Sequence, residues 1–418
     1  MSTKGVILTK TNPQVGVATG DLRISGMIMN AVAVAGKFDL GTVYKINSLK
    51  DAEEILGINA AYDTTNRVVC WHHIREYYEG LGLDSHVELW ILGTSQATTM
   101  VQMVDIAESF GKSLINGSKG TAFQVGIIRN PDAAYAPTML DGILDEVLAA
   151  IPKAQALVDW AFGKVYPTRI ILEGRNFTPP VSGVQDLRAI ANVKAPNVSV
   201  VTAQDWDYAE KDALFHNYAA VGTLLGTMAS AGIEASIGWV EQFNLTDVAS
   251  ERWRRAGLSN HQRVETYEED WDLLDKKGYV FAQTYPRVDG YRWNNDHTCT
   301  PIEVDVEGNI NQAYQRYGRA MDAVSLSAYA ALIPRVKSPQ SVDPSTGKRA
   351  PVVIADVKAR AERRIDRDWG DQISGHEVII DKESTLLPPE SSVDMAVRVV
   401  PMGTADSIKV KLGLVTRL

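Results

Sequence analysis

The residue types best suited to chemistry lie close together at positions 294–299, in the run Asn-Asn-Asp-His-Thr-Cys. Aspartate, histidine and cysteine act in proteins as metal ligands, nucleophiles and acid–base groups. Along an extended strand, however, Asp296 and Cys299 would lie on opposite faces, and no second set of ligands in the sequence matches them. We therefore interpret the run as a turn that leads into a strand carrying a hydrogen-bonded histidine. An α/β enzyme with its site around Asp296 and His297 remains the alternative.

A second group of reactive residue types, Cys70, His72 and His73, falls within a predicted helix. Only Cys70 and His73 share a face of that helix, which favours packing over metal binding. Residues 93–97, Gly-Thr-Ser-Gln-Ala, form only part of a nucleophile elbow, because Ala97 stands where the motif has its final glycine. The phosphate-binding patterns G-x-x-x-x-G-K-[ST] and G-x-G-x-x-G do not occur in the sequence. We therefore predict no catalytic residue, no cofactor and no metal.

Four arginines form the clearest charge pattern of the sequence. Arg360, Arg363, Arg364 and Arg367 follow one another at i, i+3, i+4 and i+7 in a predicted helix over 352–369, so they share one face. With acidic residues around them, they form either a solvated surface with internal ion pairs or a docking face for an acidic partner. The second interpretation is physically attractive because arginine pairs with carboxylates through two parallel hydrogen bonds.

Both ends of the chain read as β-strands. Residues 5–9 are Gly-Val-Ile-Leu-Thr, and residues 407–416 alternate apolar side chains with Lys409, Lys411 and Gly413. We predict that both segments add to the sheet edge of a neighbouring subunit, because an added strand gains a row of backbone hydrogen bonds. The residues predicted for this contact are Gly5, Val6, Ile7, Leu8, Thr9, Ile408, Val410, Leu412 and Leu414.

Strands and helices alternate between residues 31 and 278. Strands separated by helices of about ten residues or more indicate crossover connections and a parallel or mixed sheet. The segment 218–240 is rich in Ala, Gly and Ser, which predicts a buried, closely packed helix rather than a membrane span. Predicted strands cover 31–35, 42–46, 86–92, 122–129, 168–172 and 198–202, and predicted helices cover 49–56, 63–78, 100–110, 139–162 and 208–231.

After residue 278 the pattern changes to short strands, a long helix, a proline-rich loop over 334–351 and a second helix. The sequence thus predicts a mixed-sheet α/β domain followed by a smaller α+β C-terminal domain, with extended, strand-like arms at both ends. Predicted strands here cover 279–284, 291–293, 302–306, 376–380 and 393–400, and predicted helices cover 311–332 and 352–369.

Composition excludes several classes of protein. The 418 residues are 45% hydrophobic and 22% charged, which is typical of folded globular domains and not of disordered, collagenous or coiled-coil chains. The formal net charge of −9 argues against nucleic acid as the main partner, since phosphate binding needs a cationic surface. Two widely separated cysteines and an N-terminus without a signal-peptide pattern indicate the reducing cytoplasm.

Several segments resemble those of contractile tail sheath proteins, the family found in phage tails, R-type pyocins and contractile injection systems. Residues 31–57, AVAVAGKFDLGTVYKINSLKDAEEILG, are similar to the family's small-residue strand, second strand and short helix. Residues 86–93, HVELWILG, and 274–300, LDKKGYVFAQTYPRVDGYRWNNDHTCT, resemble two further segments, the latter ahead of the C-terminal domain. The alternating residues 407–418 also fit, whereas the proline loop departs from the shorter sheaths.

The resemblance implies a structural subunit that polymerises as stacked hexameric rings around an inner tube and contracts to drive the tube through a target envelope. It implies an N-terminal arm for strand exchange over 1–30, an outer α/β domain over 31–300 and a tube-facing C-terminal domain over 301–418. The face with Arg360, Arg363, Arg364 and Arg367 would then contact the tube.

The partners implied by the resemblance are further copies of the chain, an inner tube protein, and baseplate and terminator proteins. Neither nucleic acid nor membrane insertion is implied. Assembly is expected in the bacterial cytoplasm, as part of a phage tail or an injection particle. Another structural or adaptor subunit of the same machine is the second alternative, beside the enzyme.

Overall fold

The computed structural model describes residues 21–82, 85–346, 348–381 and 394–406. The terminal strands predicted at 5–9 and 407–416 lie outside these residues, so their pairing stays a prediction. Among the helices of the described residues, none combines the length and the apolar character that a membrane crossing needs.

The strands build one large sheet and several small ones. They are β1 (Ser25–Asn30), β2 (Val43–Ile46), β3 (Leu89–Thr94), β4 (Gln124–Ile128), β5 (Met139–Leu140), β6 (Ile143–Leu144), β7 (Arg169–Glu173), β8 (Val198–Val201), β9 (Ala203–Asp205), β10 (Ala256–Leu258), β11 (Gln262–Arg263), β12 (Ala282–Tyr285), β13 (Val288–Trp293), β14 (Ile373–Ile380) and β15 (Met395–Pro401). The large sheet has six strands in the order β2-β3-β1-β4-β7-β8. Its strands pair in parallel except for β2, which runs antiparallel to β3 at one edge. The predicted α/β class with a mixed sheet is confirmed.

Helices cover the large sheet and build the C-terminal part. They are α1 (Leu49–Asp51), α2 (Ala60–Asn66), α3 (Trp71–Leu81), α4 (Met100–Val104), α5 (Phe110–Gly117), α6 (Asp145–Phe162), α7 (Trp206–Ala209), α8 (Val221–Ser230), α9 (Trp271–Lys276), α10 (Gln315–Leu332) and α11 (Pro351–Trp369). A π-helical turn, Ala52–Leu56, extends α1, and 3₁₀ segments occupy Val181–Gly183, Ala213–Phe215, Val264–Asp270 and Ile333–Arg335. The predicted start and stop of the first helix are confirmed, since Ser48 accepts a hydrogen bond from Asp51 N at 3.1 Å and Gly57 ends the turn at a φ of 72°.

The first strand of the sheet is not the one predicted. Residues 31–35 form a turn around Gly36, closed by the bridge between Val34 and Phe38, and the strand is the preceding β1. Every residue of β1 is buried, and β3 and β4 flank it on both sides. The predicted strand was therefore wrong by several residues. A central strand needs large side chains such as those at 27–29, Met-Ile-Met, whereas alanines fill little space there.

The predicted single helix over 63–78 is two helices. Arg67 ends α2 in the left-handed conformation, with a φ of 56°. Asp63 does act as a helix cap, as predicted. It lies within α2, however, and the helix that it caps is α3. Its carboxylate accepts from the backbone N–H groups of Cys70 and Trp71, both at 2.9 Å, and of His72 at 3.0 Å. These are the donors that the start of a helix leaves without partners, so Asp63 ties α2 to α3.

Three other predicted helices are shorter than expected. The helix predicted over 100–110 ends at Val104, where Asp105 adopts an extended conformation, and that over 139–162 starts only at Asp145. The helix predicted over 208–231 is divided into α7, a 3₁₀ segment and α8. The expected burial of this segment is confirmed for α8, because Val221 to Ala229 are all buried. A Cβ at Gly226 would lie 2.7 Å from the carbonyl oxygen of Tyr77, so α8 packs backbone to backbone on α3.

A second hydrophobic cluster lies in the C-terminal part, where α10, α11 and the antiparallel hairpin β14–β15 meet. Its most buried members include Ala323, Ala361, Ile365 and Val378. Ile233 belongs to the same cluster although it precedes residue 300 in the chain. The cluster therefore includes residues from both sides of the predicted boundary, and the division into 31–300 and 301–418 stays a prediction.

The segment Ile302–Val306, predicted as a strand, is an exposed loop. The isolated bridge between Val304 and Ile310 and a hydrogen bond from Asn311 Nδ2 to the carbonyl oxygen of Pro301 link its two sides. Ile302 is 60% exposed and Val304 62% exposed. The prediction was wrong because the alternation of apolar and acidic residues fits a strand, but no described neighbour covers its apolar side.

Candidate assembly surfaces

The carboxyl ends of β1, β3 and β4 meet where the strand order changes direction, the place where open α/β sheets bind ligands. The side chain of Asn30 fills this place. Its Nδ2 donates to Thr94 Oγ1 at 3.0 Å and to the carbonyl oxygen of Thr98 at 2.9 Å. Its Oδ1 accepts from Arg129 Nη1 at 2.9 Å and from Asn130 N at 3.0 Å. These donors and acceptors satisfy one another. The hydrogen-bond network around Asn30 therefore holds the loops to the strands at this end of the sheet.

Glu173, at the end of β7, extends the same network. Its two oxygens accept from the backbone N–H groups of Arg129 at 2.7 Å and Ala219 at 3.0 Å, and from Arg175 Nη1 at 3.0 Å. Burial raises the pKa of this carboxyl, and the charge of Arg175 opposes that rise. A fully buried carboxylate with three donors is a structural anchor, since losing any donor would leave a buried oxygen unsatisfied.

The residues of the enzyme hypothesis, Asp296 and His297, are both buried and both bonded. His297 Nε2 lies 2.7 Å from Asp275 Oδ1, and His297 Nδ1 contacts Arg188 Nη2. Since a guanidinium only donates, Nδ1 accepts and Nε2 carries the proton. Burial lowers the pKa of His297, which agrees with a neutral ring. Asp296 pairs with Arg316 and accepts from its backbone N–H at 2.6 Å, at the start of α10. Asp296 therefore holds the start of α10, and His297 joins Asp275 of α9 to Arg188.

The other reactive residue types also serve packing. His72 stacks on Tyr208 with ring centroids 3.4 Å apart, and His73 Nδ1 accepts from Gly222 N at 3.1 Å. Burial lowers the pKa of His73 to about 3. Cys299 is fully buried, and burial raises the pKa of its thiol to about 12, so it is a thiol at neutral pH. The packing interpretation of these residues agrees with the structure, although Cys70 precedes α3 instead of lying inside it.

A buried arginine joins the large sheet to the C-terminal part. Arg169, the first residue of β7, donates from Nε to Asp322 Oδ2 at 3.1 Å and from Nη1 to Gln315 Oε1 at 2.8 Å. Both partners lie on α10, and Gly318 of the same helix leaves room for the guanidinium. Burial raises the pKa of Asp322, while the charge of Arg169 opposes that rise. A second link comes from Arg319 Nη2, which donates to the carbonyl oxygen of Ala231 at 2.8 Å.

The sequence pattern does not predict this junction. One signal was present, because Arg169 begins a strand that otherwise reads Ile-Ile-Leu-Glu, and a charge in a buried strand needs a partner. The partners lie more than a hundred residues further along the chain, on a helix whose position the sequence pattern does not reveal.

The structure places the four arginines predicted as a tube contact on one side of α11, beside the stripe that packs into the second cluster. Arg360 pairs with Asp356 at 2.9 Å, Arg364 with Asp368 at 2.5 Å, and Arg367 with Asp368 at 3.0 Å. Arg363 is exposed and donates to the carbonyl oxygen of Ala359. The residues do share a face, and internal ion pairing covers part of their charge. The contact with a tube stays a prediction.

The hairpin β14–β15 is a second candidate surface. Val378 and Ile380 are buried against the helices, whereas Ile379 and Val400 point away and are exposed. Within the described residues the sheet has only these two strands, so each strand has one edge without a strand partner. Such an edge offers a row of backbone donors and acceptors to an added strand.

Solved structures show which fold the chain shares. The sheath of the anti-feeding prophage in its contracted state matches with a TM-score of 0.59 and 13% identity over 99% of both chains. A chain of the baseplate of the same particle matches with a TM-score of 0.59, 12% identity and 99% coverage of both chains. The contracted sheath complex of the extracellular injection system PVC matches with a TM-score of 0.58 and 12% identity, over 100% of this chain and 98% of that one. The chain has the fold of contractile sheath proteins, as its sequence resemblance implied.

The family follows from the sequence itself. Residues 3–297 match the family described as DUF2586, N-terminal domain. Because this match spans well over half of the chain, the protein belongs to the DUF2586 family. No curated protein sequence matches it significantly.

Proposed function

We propose that the chain is a structural subunit of a contractile tail sheath. It polymerises as stacked hexameric rings around an inner tube and contracts to drive the tube through a target envelope. The observation that carries this proposal is the likeness of almost the whole chain to two sheaths in their contracted state. The likeness extends beyond the sheet domain to α10, α11 and the hairpin, since it covers 99% of the chain or more.

In this proposal the terminal segments connect subunits. Among the described residues, β14 and β15 each have one edge without a strand partner, and such an edge is a suitable acceptor because an added strand gains backbone hydrogen bonds there. The alternating segment 407–416 and residues 5–9 are the donors, contributed by neighbouring copies.

The second element of the proposal is the inner surface. The C-terminal domain, 301–418, faces the tube, and α11 presents its arginines to acidic groups there. Arg360, Arg363 and Arg367 are exposed, which supports a role in binding. Each exposed ion pair contributes only about 0.2–1 kcal/mol, but many subunits would repeat the contact along the tube.

The remaining partners follow from the same role. Baseplate and terminator proteins cap the two ends of the sheath, and assembly takes place in the bacterial cytoplasm as part of a phage tail or injection particle. The likeness to a chain of a baseplate complex favours one second candidate, an adaptor subunit of the same machine.

Negative-stain electron microscopy of the purified full-length chain tests the proposal. A sheath subunit forms long striated tubes, whereas an adaptor forms single rings or short stacks. A chain that stays monomeric over a wide range of concentration and salt would contradict both roles. Averaged end-on views should show six subunits in each ring.

A further inference from the structure

Three side chains come together beside the three-stranded sheet β9-β10-β11, away from the surfaces described above. Glu210 follows α7, His216 follows the 3₁₀ segment Ala213–Phe215, and His261 lies in the turn between β10 and β11. One ligand-type atom from each residue lies within 4.8 Å of the other two. Two imidazoles and one carboxylate are a ligand set that Zn²⁺ uses, with water in the fourth position. We propose that these three residues bind one Zn²⁺ ion.

The amide of Gln204 determines which nitrogen of His261 faces this site. Gln204 Nε2 donates to the carbonyl oxygens of His216 and Tyr218, both at 2.9 Å. These bonds fix Gln204 Oε1 toward His261 Nδ1, at 3.3 Å. Since an amide oxygen only accepts, His261 Nδ1 carries a proton and donates it. Histidines that bind metals are usually oriented in this way, by donating their other N–H to an oxygen.

The remaining nitrogen, His261 Nε2, points at Glu210. It lies 2.6 Å from Glu210 Oε2, so two acceptor oxygens face the two nitrogens of one ring. The position between His261 Nε2 and Glu210 Oε2 therefore requires a positive charge, either a proton or a metal ion. A metal ion there would replace the proton and engage a third ligand, for which His216 is the nearest candidate.

Stacking on Trp206 holds His261 in place when His216 moves. Trp206 stacks on His261 with centroids 4.8 Å apart and the rings 7° from parallel, and His216 stacks on His261 at 3.9 Å and 2°. Arg255 covers the outer face of Trp206 at 4.2 Å. A metal ion lies in the plane of each imidazole that binds it, so His216 must tilt out of the stack. His216 is half-buried and Glu210 is more than half exposed, so the ion can reach the site from solvent.

Calorimetric titration of the full-length, tag-free chain with ZnCl₂ tests this inference, which does not depend on the role as a sheath. We expect one Zn²⁺ per chain. His216→Ala and Glu210→Gln should each weaken binding by at least about tenfold. His86→Gln, which changes an exposed histidine far along the chain from the cluster, is the matched control and should bind Zn²⁺ like the wild type. Circular dichroism confirms that each variant is folded, and substitution of Co²⁺ reports nitrogen ligation through its visible absorption.

Three results would overturn the proposal. If the double variant His216→Ala/Glu210→Gln binds Zn²⁺ as tightly as the wild type, the metal is an adventitious ion only. If the wild type shows no saturable binding at micromolar Zn²⁺, the cluster holds a proton and not a metal. Loss of binding in His86→Gln to the same extent as in His216→Ala would also contradict the assignment.

Discussion

The guanidinium of Arg169 occupies the space that any side chain at Gly318 would need. A Cβ at this position of α10 would overlap Arg169 Nη2, Cζ and Nη1. The glycine and the arginine are therefore one structural unit, although they lie on different elements. The same guanidinium holds Asp322 and Gln315, so the close approach at Gly318 makes the junction possible.

Gly318→Ala should destabilise the fold by about 1–3 kcal/mol, because Arg169 must move and its buried hydrogen bonds must change. Chemical denaturation followed by circular dichroism measures the effect. Gly375→Ala in β14 is the matched control, since a Cβ there meets nothing within 4 Å. We expect the control to leave stability unchanged or slightly raised. Equal losses in both variants would mean that the close approach is unimportant.

Stability should depend on pH through Glu76. This fully buried carboxyl accepts from Thr223 Oγ1 at 2.5 Å and Trp253 Nε1 at 3.2 Å, and burial raises its pKa to about 7. A raised carboxyl pKa gives stability that is complete below the unfolded value of about 4.3 and is lost as pH rises through about 7. The contribution of Glu76 to stability should therefore fall between about pH 4 and pH 7, against an opposite trend from the buried histidines His73 and His297, whose pKa values are lowered.

Glu76→Gln isolates this contribution, since glutamine has nearly the same size and keeps one acceptor oxygen. Calorimetry at several pH values should show that, as pH rises from about 4 to about 7, the melting temperature of the wild type declines relative to that of the variant. Some dependence remains, because burial also raises the pKa of Asp205, to about 6. An identical fall in the two proteins would contradict the assignment.

Reversing two charges on α11 tests the proposed tube contact. Arg360→Glu combined with Arg363→Glu changes exposed residues and spares Arg364, which is half-buried and pairs with Asp368. We expect a folded subunit that assembles poorly on the tube, counted in micrographs of co-assembled particles. Arg254→Glu, which reverses an exposed charge far along the chain from α11, should assemble normally. Normal assembly of the α11 variant would show that this face has no role on the tube.

The proposed strand exchange predicts that substitutions on the apolar side of residues 407–416 block polymerisation and that substitutions on the lysine side do not. Ile408→Asp combined with Val410→Asp should give soluble, folded protein that does not polymerise, because burial of the apolar face is lost. Lys409→Ala combined with Lys411→Ala changes the opposite face and should polymerise. Deleting residues 405–418 should behave like the first variant. Long tubes formed by the deletion variant would exclude this segment as a connector.

Local pattern predicted much of the fold. Strands β4, β7 and β8 and helices α10 and α11 were predicted to within a few residues, because their apolar runs or periodic faces are long. The α/β class followed from their alternation. The position of β1 was missed because its burial depends on β3 and β4, which lie more than sixty residues further along the chain.

The sequence predicted those parts of the candidate surfaces that depend on local pattern and missed those that depend on contacts between distant segments. The arginine face of α11 depends only on helix geometry, so its spacing was enough. The bonds of Asn30, Arg169 and His261 each join elements distant in the chain, and residue types alone do not reveal such partners. The break between α2 and α3 was missed because Asp63 caps a helix other than its own.

The junction formed by Arg169 and Asp322 has a mechanical consequence. Breaking a buried ion pair by removing one partner costs about 3–5 kcal/mol because an unpaired charge stays buried, so a motion that separates Arg169 from Asp322 is strongly opposed. If the chain works as proposed, we expect each subunit to rotate as a rigid body during contraction, so that its large sheet and its C-terminal helices move together. The free energy of contraction would then come from contacts that neighbouring subunits exchange. The internal conformation of each subunit would be the same in the extended and contracted states.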